Sequence, residues 1–230
     1  MTDLHDPTLG DLVVTNPATA RVLDAFGLDY CCHGDRSLAD ACATAGIDAT
    51  TVAERLRDLD IEGDTTWTSL DPPALAAHIL DTHHRYLHEE LPLLDALSAK
   101  VVSVHGDRHP ELSDVRRLVA ALRADLEPHL MKEERVLFPA IAALANGQRD
   151  FGFGSVANPI RMMGIEHDRA GELLAELRAA TGSYLVPDDA CASYRSLYER
   201  LEALELDTHQ HIHKENHVLF PAALRMAAEG

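Results

Sequence analysis

The chain has 230 residues, of which 46% are apolar, so it can bury a substantial core in one or two domains. With 38 acidic and 20 basic residues, its formal charge is −18 when the histidines are neutral. This charge argues against a nucleic-acid backbone or an anionic membrane as partner; it suits a protein that handles cations or docks on a basic partner, although simple solubility explains it equally well.

The N-terminal segment lacks the basic and apolar regions of a signal peptide, and no stretch approaches the roughly 18 apolar residues of a membrane span. The four cysteines are Cys31, Cys32, Cys42 and Cys191. Because two of them are adjacent, and a bridge between neighbours is strained, they do not indicate a disulfide framework. We therefore expect a reducing, cytoplasmic setting.

Residues 1–60 predict a small helical N-terminal domain. Apolar spacing predicts a first helix that ends at Asn16 and a second that stops at Gly27, a typical left-handed terminator. Ser37 and Asp48 are typical N-caps for further short helices. The region is therefore expected to consist of several short helices joined by turns.

Residues 61–71 contain turn formers without a helical period, which predicts a linker. Residues 72–230 contain four long patterns in which apolar residues recur at steps of three and four. They predict an all-α fold, an antiparallel four-helix bundle. Pro159 is expected near the start of the third helix, and Pro187 near the start of the fourth.

The second and fourth helical patterns contain a repeat. HLMKEERVLFPA at 129–140 returns 82 residues later as HIHKENHVLFPA at 211–222. Each copy places a His four residues before a Glu, so both side chains lie on one helix face, a turn apart. Pro139 and Pro221 should bend or end their helices, and Pro128 should kink the second helix just before the first copy.

Six polar residues occupy the helix faces that should form the bundle core: His84, His129, Glu133, His167, His211 and Glu215. A buried carboxylate requires a partner or a metal, because leaving it unpaired costs several kcal/mol. The set contains no thiolate and exceeds the four ligands of one zinc, so it suits two metal ions that share carboxylates. Iron fits best, manganese or zinc stays open, and copper suits carboxylates poorly. A satisfied buried polar network is the alternative without metal.

Further histidines lie near these residues, and we expect most of them to face solvent: His83, His88, His209, His213 and His217. Because His83 adjoins His84, spacing alone leaves doubt over which imidazole binds. Glu166 directly precedes His167, and it either lines an access route or lies on the surface.

Adjacent cysteines at 31 and 32 lie in the turn Asp-Tyr-Cys-Cys-His-Gly, just after a predicted helix end. A nearby imidazolium from His33 would lower a thiol pKa and favour a reactive or metal-binding pair. The alternative is two small, partly buried apolar side chains. Cys42 and Cys191 lie within helical patterns and are expected to be structural.

This turn, followed by two His-x-x-x-Glu…Leu-Phe-Pro copies, resembles the RIC family of di-iron proteins for repair of iron–sulfur clusters, over nearly the whole chain. The resemblance implies a hemerythrin-like bundle with a non-haem di-iron centre. Glu133 and Glu215 would bridge the irons, and the four histidines would be terminal ligands. It also implies a role for Cys31 and Cys32 in target contact, iron handling or redox chemistry.

The resemblance further implies repair of clusters damaged by nitric oxide or peroxide. Three functions compete, and the first is repair by iron donation to damaged iron–sulfur proteins. The second is a di-iron enzyme that reduces nitric oxide or peroxide, and the third is a hemerythrin-like module that binds or senses oxygen or nitric oxide. A carrier has no evident use for adjacent thiols. Whether the chain is an enzyme, and whether it forms a homodimer, is left open.

Overall fold

The computed structural model describes residues 7–57, 59 and 66–229. Within these residues the regular structure is helical, and the only β feature is an isolated bridge between Thr8 and Ser37. No helix in this part of the chain is both long and apolar enough to cross a membrane. By its contacts the chain divides into a first unit (Met1–His78, Ile141–Arg149, His209–Gly230) and a second unit (Ile79–Ala140, Asp150–Thr208).

The first unit contains the short helices predicted for the N-terminal region: α1 (Leu9–Thr15), α2 (Thr19–Ala25), α3 (Leu38–Ala45) and α4 (Ala49–Arg57). The predicted caps are confirmed, because the Ser37 side chain accepts from the Asp40 backbone N–H and Asp48 accepts from that of Thr50. Gly27 adopts a left-handed φ of 65° after α2. Of the predicted linker, residues 61–65 lie outside the described residues, and Thr66–Ser69 forms a 3₁₀ turn.

Long helices follow, and three of them contain a π-helical turn. The segments in chain order are α5 (Pro72–Ile79), π1 (Leu80–His84), α6 (Arg85–His105), α7 (Leu112–Lys132), π2 (Glu133–Leu137), α8 (Phe138–Ala145), α9 (Ala157–Ala180), α10 (Ala192–Lys214), π3 (Glu215–Leu219) and α11 (Phe220–Ala228). Such turns add one residue to a helical turn and are frequent at functional sites.

The second unit is an antiparallel four-helix bundle, as predicted. Its contacts run in opposite order along neighbouring helices: His83 bonds to Asp207, and Glu90 further along bonds to Arg200 earlier in α10. Its core is made of fully buried leucines from all four helices, including Leu87, Leu91, Leu94, Leu118, Leu122, Leu173, Leu174, Leu177, Leu197 and Leu201. This packing of apolar stripes holds the polar residues described below inside the bundle.

Pro159 lies in the first turn of its helix, as expected, although as the third residue and not the first, and the expected helix start near Pro187 was wrong. α9 begins at Ala157, two residues before Pro159. α10 begins at Ala192, because Pro187 instead opens a turn in which the Ala190 N–H donates to its carbonyl.

Three prolines neither end nor interrupt their helices. Pro128 lies within α7. Pro139 and Pro221 are each the second residue after a π turn, where the helix continues as α8 and α11. The N–H of the preceding phenylalanine, Phe138 in one copy, bonds five residues back to Glu133, so the ladder is already shifted where the proline lacks a donor.

Candidate metal centre

Glu133 is the centre of a buried polar cluster in the second unit. It is the first residue of π2 and is 0% exposed. Its Oε2 atom lies 3.4 Å from Nε2 of His84 and 3.3 Å from Nε2 of His129. Nε2 of His167 lies 4.0 Å from Oε1 of Glu133 and 3.2 Å from Nε2 of His129. One carboxylate is thus surrounded by three imidazole nitrogens from α7, α9 and π1.

The other ring nitrogens of two of these histidines bond to carboxylates. Nδ1 of His84 donates to Glu134 at 3.0 Å, and Nδ1 of His129 donates to Glu166 at 2.9 Å. In a neutral imidazole, a donating Nδ1 leaves the lone pair on Nε2, so each ring can offer Nε2 to a cation next to Glu133. Carboxylate–histidine pairs of this kind orient metal ligands and raise their basicity.

A further side chain bonds to each of these outer carboxylates. Glu134 also accepts from Nε2 of His88 at 2.7 Å, and Glu166 is bonded by Nζ of Lys132. Burial alone would raise the pKa of Glu134, but its hydrogen bonds with His88 and His84 outweigh this effect and lower it. The pKa of Glu166 is likewise lowered, because the bonds from Lys132 and His129 exceed the effect of burial. Both groups are therefore anionic near neutral pH.

The donor set of this cluster fits a metal ion. Two donor atoms that are each about 2.1 Å from one ion lie about 3.0 to 3.4 Å apart at right-angled or tetrahedral geometry. The separations of Glu133 from His84 and from His129, and of His129 from His167, are 3.2 to 3.4 Å. Lone pairs on nitrogen and oxygen repel at these distances unless a cation lies among them. Imidazole with carboxylate suits iron, manganese or zinc.

The first unit contains the second His-x-x-x-Glu copy. His211 lies in the last turn of α10. Glu215 is the first residue of π3, the position that Glu133 has in π2. His211 is 1% exposed and Glu215 is 0% exposed. Nε2 of His211 lies 3.1 Å from Oε1 of Glu215. The two copies therefore share burial, spacing and their register relative to a π turn.

The structure distinguishes His84 from His83. Nε2 of His84 faces Glu133, whereas Nδ1 of the equally buried His83 bonds to Asp207 at 2.8 Å. The expectation that His83 faces solvent was wrong, because α10 covers it. Neighbouring residues on a helix point about 100° apart, so two adjacent imidazoles at the end of π1 contact different partners.

A surface groove between α7 and α9 leads to this cluster from outside. Its volume is 440 Å³, and its lining includes Pro128, His129, Met162 and Glu166. Glu166 thus bonds to His129 and also lines this groove, which agrees with the access route that the sequence left undecided. Glu134 was not predicted at all, although it directly follows Glu133.

The adjacent cysteines form a compact turn in the first unit. Oδ1 of Asp29 accepts from the backbone N–H of Cys31 at 3.1 Å, from that of Cys32 at 2.9 Å and from the Cys31 thiol at 3.3 Å. The two Sγ atoms are 3.7 Å apart. Asp29, Cys31 and Cys32 offer a second group of closely spaced metal-type ligand atoms.

The environment of this turn raises rather than lowers a thiol pKa. The hydrogen bond with Cys32, burial and the nearby Asp29 charge all raise the pKa of Cys31, so its thiol is protonated at neutral pH. His33 is largely exposed and its Nδ1 bonds to Asp29 at 2.6 Å, so Cys31 agrees with the partly buried alternative and not with a thiol pKa lowered by His33. Cys42 is buried, as expected of a structural residue, while Cys191 is exposed and bonds to His105.

Three histidines that we expected to face solvent instead pack within the first unit. Nδ1 of His209 bonds to Asp24 at 2.8 Å. Nδ1 of His213 lies 3.4 Å from the Tyr30 carbonyl, and burial lowers the pKa of His213 to about 3. Burial also lowers the pKa of His217, so both rings are neutral near pH 7.

Comparison with known proteins extends this picture. A family model for the hemerythrin HHE cation binding domain matches residues 75–223, and a model for a domain of unknown function, DUF542, matches residues 5–60. The Staphylococcus haemolyticus iron-sulfur cluster repair protein ScdA is 31% identical over 94% of this chain and 97% of its own length. The Dickeya chrysanthemi iron-sulfur cluster repair protein YtfE is 34% identical over 96% and 98%.

The chain belongs to the iron–sulfur cluster repair protein family. The predicted resemblance is therefore confirmed, and so is the hemerythrin-like class of the bundle. A further member of the family, a probable iron-sulfur cluster repair protein of Haemophilus influenzae, is 34% identical over 94% of this chain and 96% of its own. The cation-binding description of the HHE domain agrees with the donor set around Glu133.

Proposed function

We propose that this chain repairs damaged iron–sulfur clusters and holds two iron ions in its bundle. The proposed ligands are those that the sequence indicated: His84, His129, Glu133, His167, His211 and Glu215. Glu133 and Glu215 would be the shared carboxylates, because each begins a π turn in the same register after a histidine. Relatives that match nearly the whole chain carry iron–sulfur cluster repair in their names, which supports the activity.

One observation carries the metal assignment: Nε2 atoms of two imidazoles lie 3.4 and 3.3 Å from the same buried carboxylate oxygen of Glu133. Both rings donate from Nδ1 to Glu134 and Glu166, so each neutral ring can offer Nε2 as a ligand. A cation among the donors satisfies the whole arrangement.

Bound iron would supply a reversible redox couple and an exchangeable coordination position. The protein's part is to hold the donors and their protons. Glu134 and Glu166 keep a proton on Nδ1 of His84 and His129, and Lys132 supports Glu166 from the groove side. A small molecule such as nitric oxide, oxygen or peroxide would reach this side through the groove next to Glu166.

The proposed division of labour follows the chain. Residues 1–60 form a small domain with the dithiol turn, residues 61–71 a linker, and residues 72–230 the di-iron bundle. The iron is cargo: it would leave as a ferrous ion and be taken up by a damaged iron–sulfur protein in the cytoplasm. Cys31 and Cys32 would contact the target or hold the iron in passage, since thiol sulfur is a good iron ligand.

The test combines metal analysis with repair. Protein purified without oxygen should contain two iron ions per chain, measured by iron quantitation and Mössbauer spectroscopy. Glu133→Gln should lower this content, whereas Glu172→Gln, on the exposed side of α9, should not. Loaded wild type should reactivate peroxide-damaged aconitase better than an equal amount of free ferrous ion. The proposal would be overturned if free ferrous ion alone reactivated aconitase fully, or if the wild-type protein purified without oxygen contained no iron. Sustained nitrous oxide production would instead indicate a reductase.

A further inference from the structure

The peptide carbonyl between the two adjacent cysteines accepts two side-chain hydrogen bonds. Nδ2 of Asn216 donates to the Cys31 carbonyl at 3.1 Å, and Nε2 of His217 donates to the same oxygen at 3.1 Å. Both donors belong to π3, immediately after Glu215. The acceptor is the oxygen of the peptide bond that joins Cys31 to Cys32, so these two residues fix the orientation of that peptide.

The ring of His217 lies in a fitted socket. A Cβ atom on Gly10 would come within 2.7 Å of Nδ1 of His217, and one on Gly34 within 2.6 Å of its Nε2. On its other side the ring stacks on His213, with centroids 5.0 Å apart and planes inclined by 28°. Two glycines and a stacked imidazole thus allow this ring to reach the cysteine turn, and they leave it little room to move.

Closing a disulfide between neighbouring cysteines would disturb this arrangement. Disulfides normally join residues whose Cα atoms are about 4.4 to 6.8 Å apart, whereas neighbours across a trans peptide are about 3.8 Å apart. The two sulfur atoms, now 3.7 Å apart, would have to approach to about 2.05 Å. The intervening peptide would have to twist, and its carbonyl would turn away from Asn216 and His217.

We propose that Asn216 and His217 are positioning residues that keep Cys31 and Cys32 as a reduced dithiol, by holding the carbonyl of the peptide between them. Oxidation would break two S–H bonds and form one S–S bond. The two electrons and two protons would pass to an oxidant such as glutathione disulfide, which becomes two glutathione thiols. The same step would release the turn from π3. This inference goes beyond the proposed repair function and does not depend on bound metal.

The test is the thiol–disulfide equilibrium of the whole protein in glutathione buffers. After acid quenching and alkylation, mass spectrometry of the peptide with Cys31 and Cys32 gives the fraction bridged, free or mixed with glutathione. Asn216→Ala and His217→Phe should each raise the ratio of bridged to free dithiol about fivefold, as expected for one lost hydrogen bond. The phenylalanine keeps a flat ring but has no donor. His217→Gln restores a donor and should recover part of the resistance. Asn146→Ala, whose side chain bonds to the Ala142 carbonyl on the surface, is the matched control.

A second variant guards against misfolding. Gly10→Ala leaves every donor in place and suits helix α1, but its methyl group should push His217 from its socket and favour the bridge. Equal bridging in wild type and all variants, or no bridge in the Asn216→Ala, His217→Phe double variant at any glutathione ratio, would overturn the proposal. Iron content measured on the same samples separates this outcome from a failure of the proposed metal centre.

Discussion

Glu166 accepts a hydrogen bond from Nδ1 of His129 at 2.9 Å and thereby determines which nitrogen of that imidazole faces Glu133. The same carboxylate is bonded by Lys132 and lines the groove between α7 and α9. One side chain thus connects an exposed surface to a buried imidazole. Substitutions at Glu166 should therefore change the metal affinity more than the free energy of unfolding.

Glu166→Gln should weaken iron binding about 10- to 100-fold, the usual cost of losing an outer carboxylate on a metal-bound histidine. The amide keeps the size of the side chain but loses the charge that raises the basicity of His129. Competition with a chromophoric ferrous chelator measures the affinity. Glu172→Gln, an exposed glutamate on the same helix, is the control, and equal affinities for the two variants would contradict the role of Glu166.

Iron should stabilise the folded chain, because it binds the native ligands and not the unfolded chain. At a thousandfold excess over its dissociation constant, the gain in unfolding free energy is about 4 kcal/mol. His129→Ala and Glu215→Ala should lower iron content and remove this gain together. Thermal unfolding with iron, and with a chelator, measures it. A variant that keeps the full iron-dependent gain would remove that residue from the ligand set.

Replacing both Cys31 and Cys32 by serine should abolish repair while leaving iron content unchanged. The turn should persist, because Asp29 caps it through backbone N–H groups that serine retains. Aconitase reactivation should fall to the level that free ferrous ion gives. Nitric oxide binding to the loaded protein should match wild type. Repair by the double variant at the wild-type rate would exclude a role for the thiols.

Arg178→Met should destabilise the bundle strongly. Arg178 bonds Glu205 through two nitrogens, at 3.1 and 2.6 Å, and Glu205 is 2% exposed. Losing the guanidinium leaves a buried carboxylate, which costs about 3 to 5 kcal/mol. Adding Glu205→Met should recover most of that loss. Urea unfolding measures both, with the exposed Arg117→Met as control; a loss below about 1 kcal/mol, typical of surface pairs, would contradict this account.

The sequence predicted the bundle and the cluster around Glu133 because both follow from helical periodicity. A four-residue step and an apolar stripe place His129 and Glu133 on the core face without further information. The prediction from sequence was wrong for His213 and His217, because a polar helix face was taken to be a solvated one. Those rings instead bond backbone carbonyls of the cysteine turn, and periodicity contains no information on a second buried face.

The π turns were also beyond the sequence, because one extra residue per turn has no compositional signature. Proline at positions 139 and 221 suggested helix ends, whereas the shifted ladder accommodates both rings. The difference between His84 and His83 follows from their neighbours, because His84 lies next to Glu133 and His83 bonds to Asp207 of α10. A tertiary feature therefore decided what spacing left open.

The repeated π turns have a consequence for which changes this chain tolerates. A π turn holds one residue more than an α-helical turn, so deleting one residue from Glu133–Leu137 would convert the turn to α-helix and leave the register of the helix after it nearly unchanged. Ile141 would stay buried, whereas the side chains at the start of the turn would shift relative to the histidines around them. Homologous chains should therefore keep the extra residue of this turn together with the carboxylates at 133 and 134, because an α-helical turn would move both carboxylates away from His84.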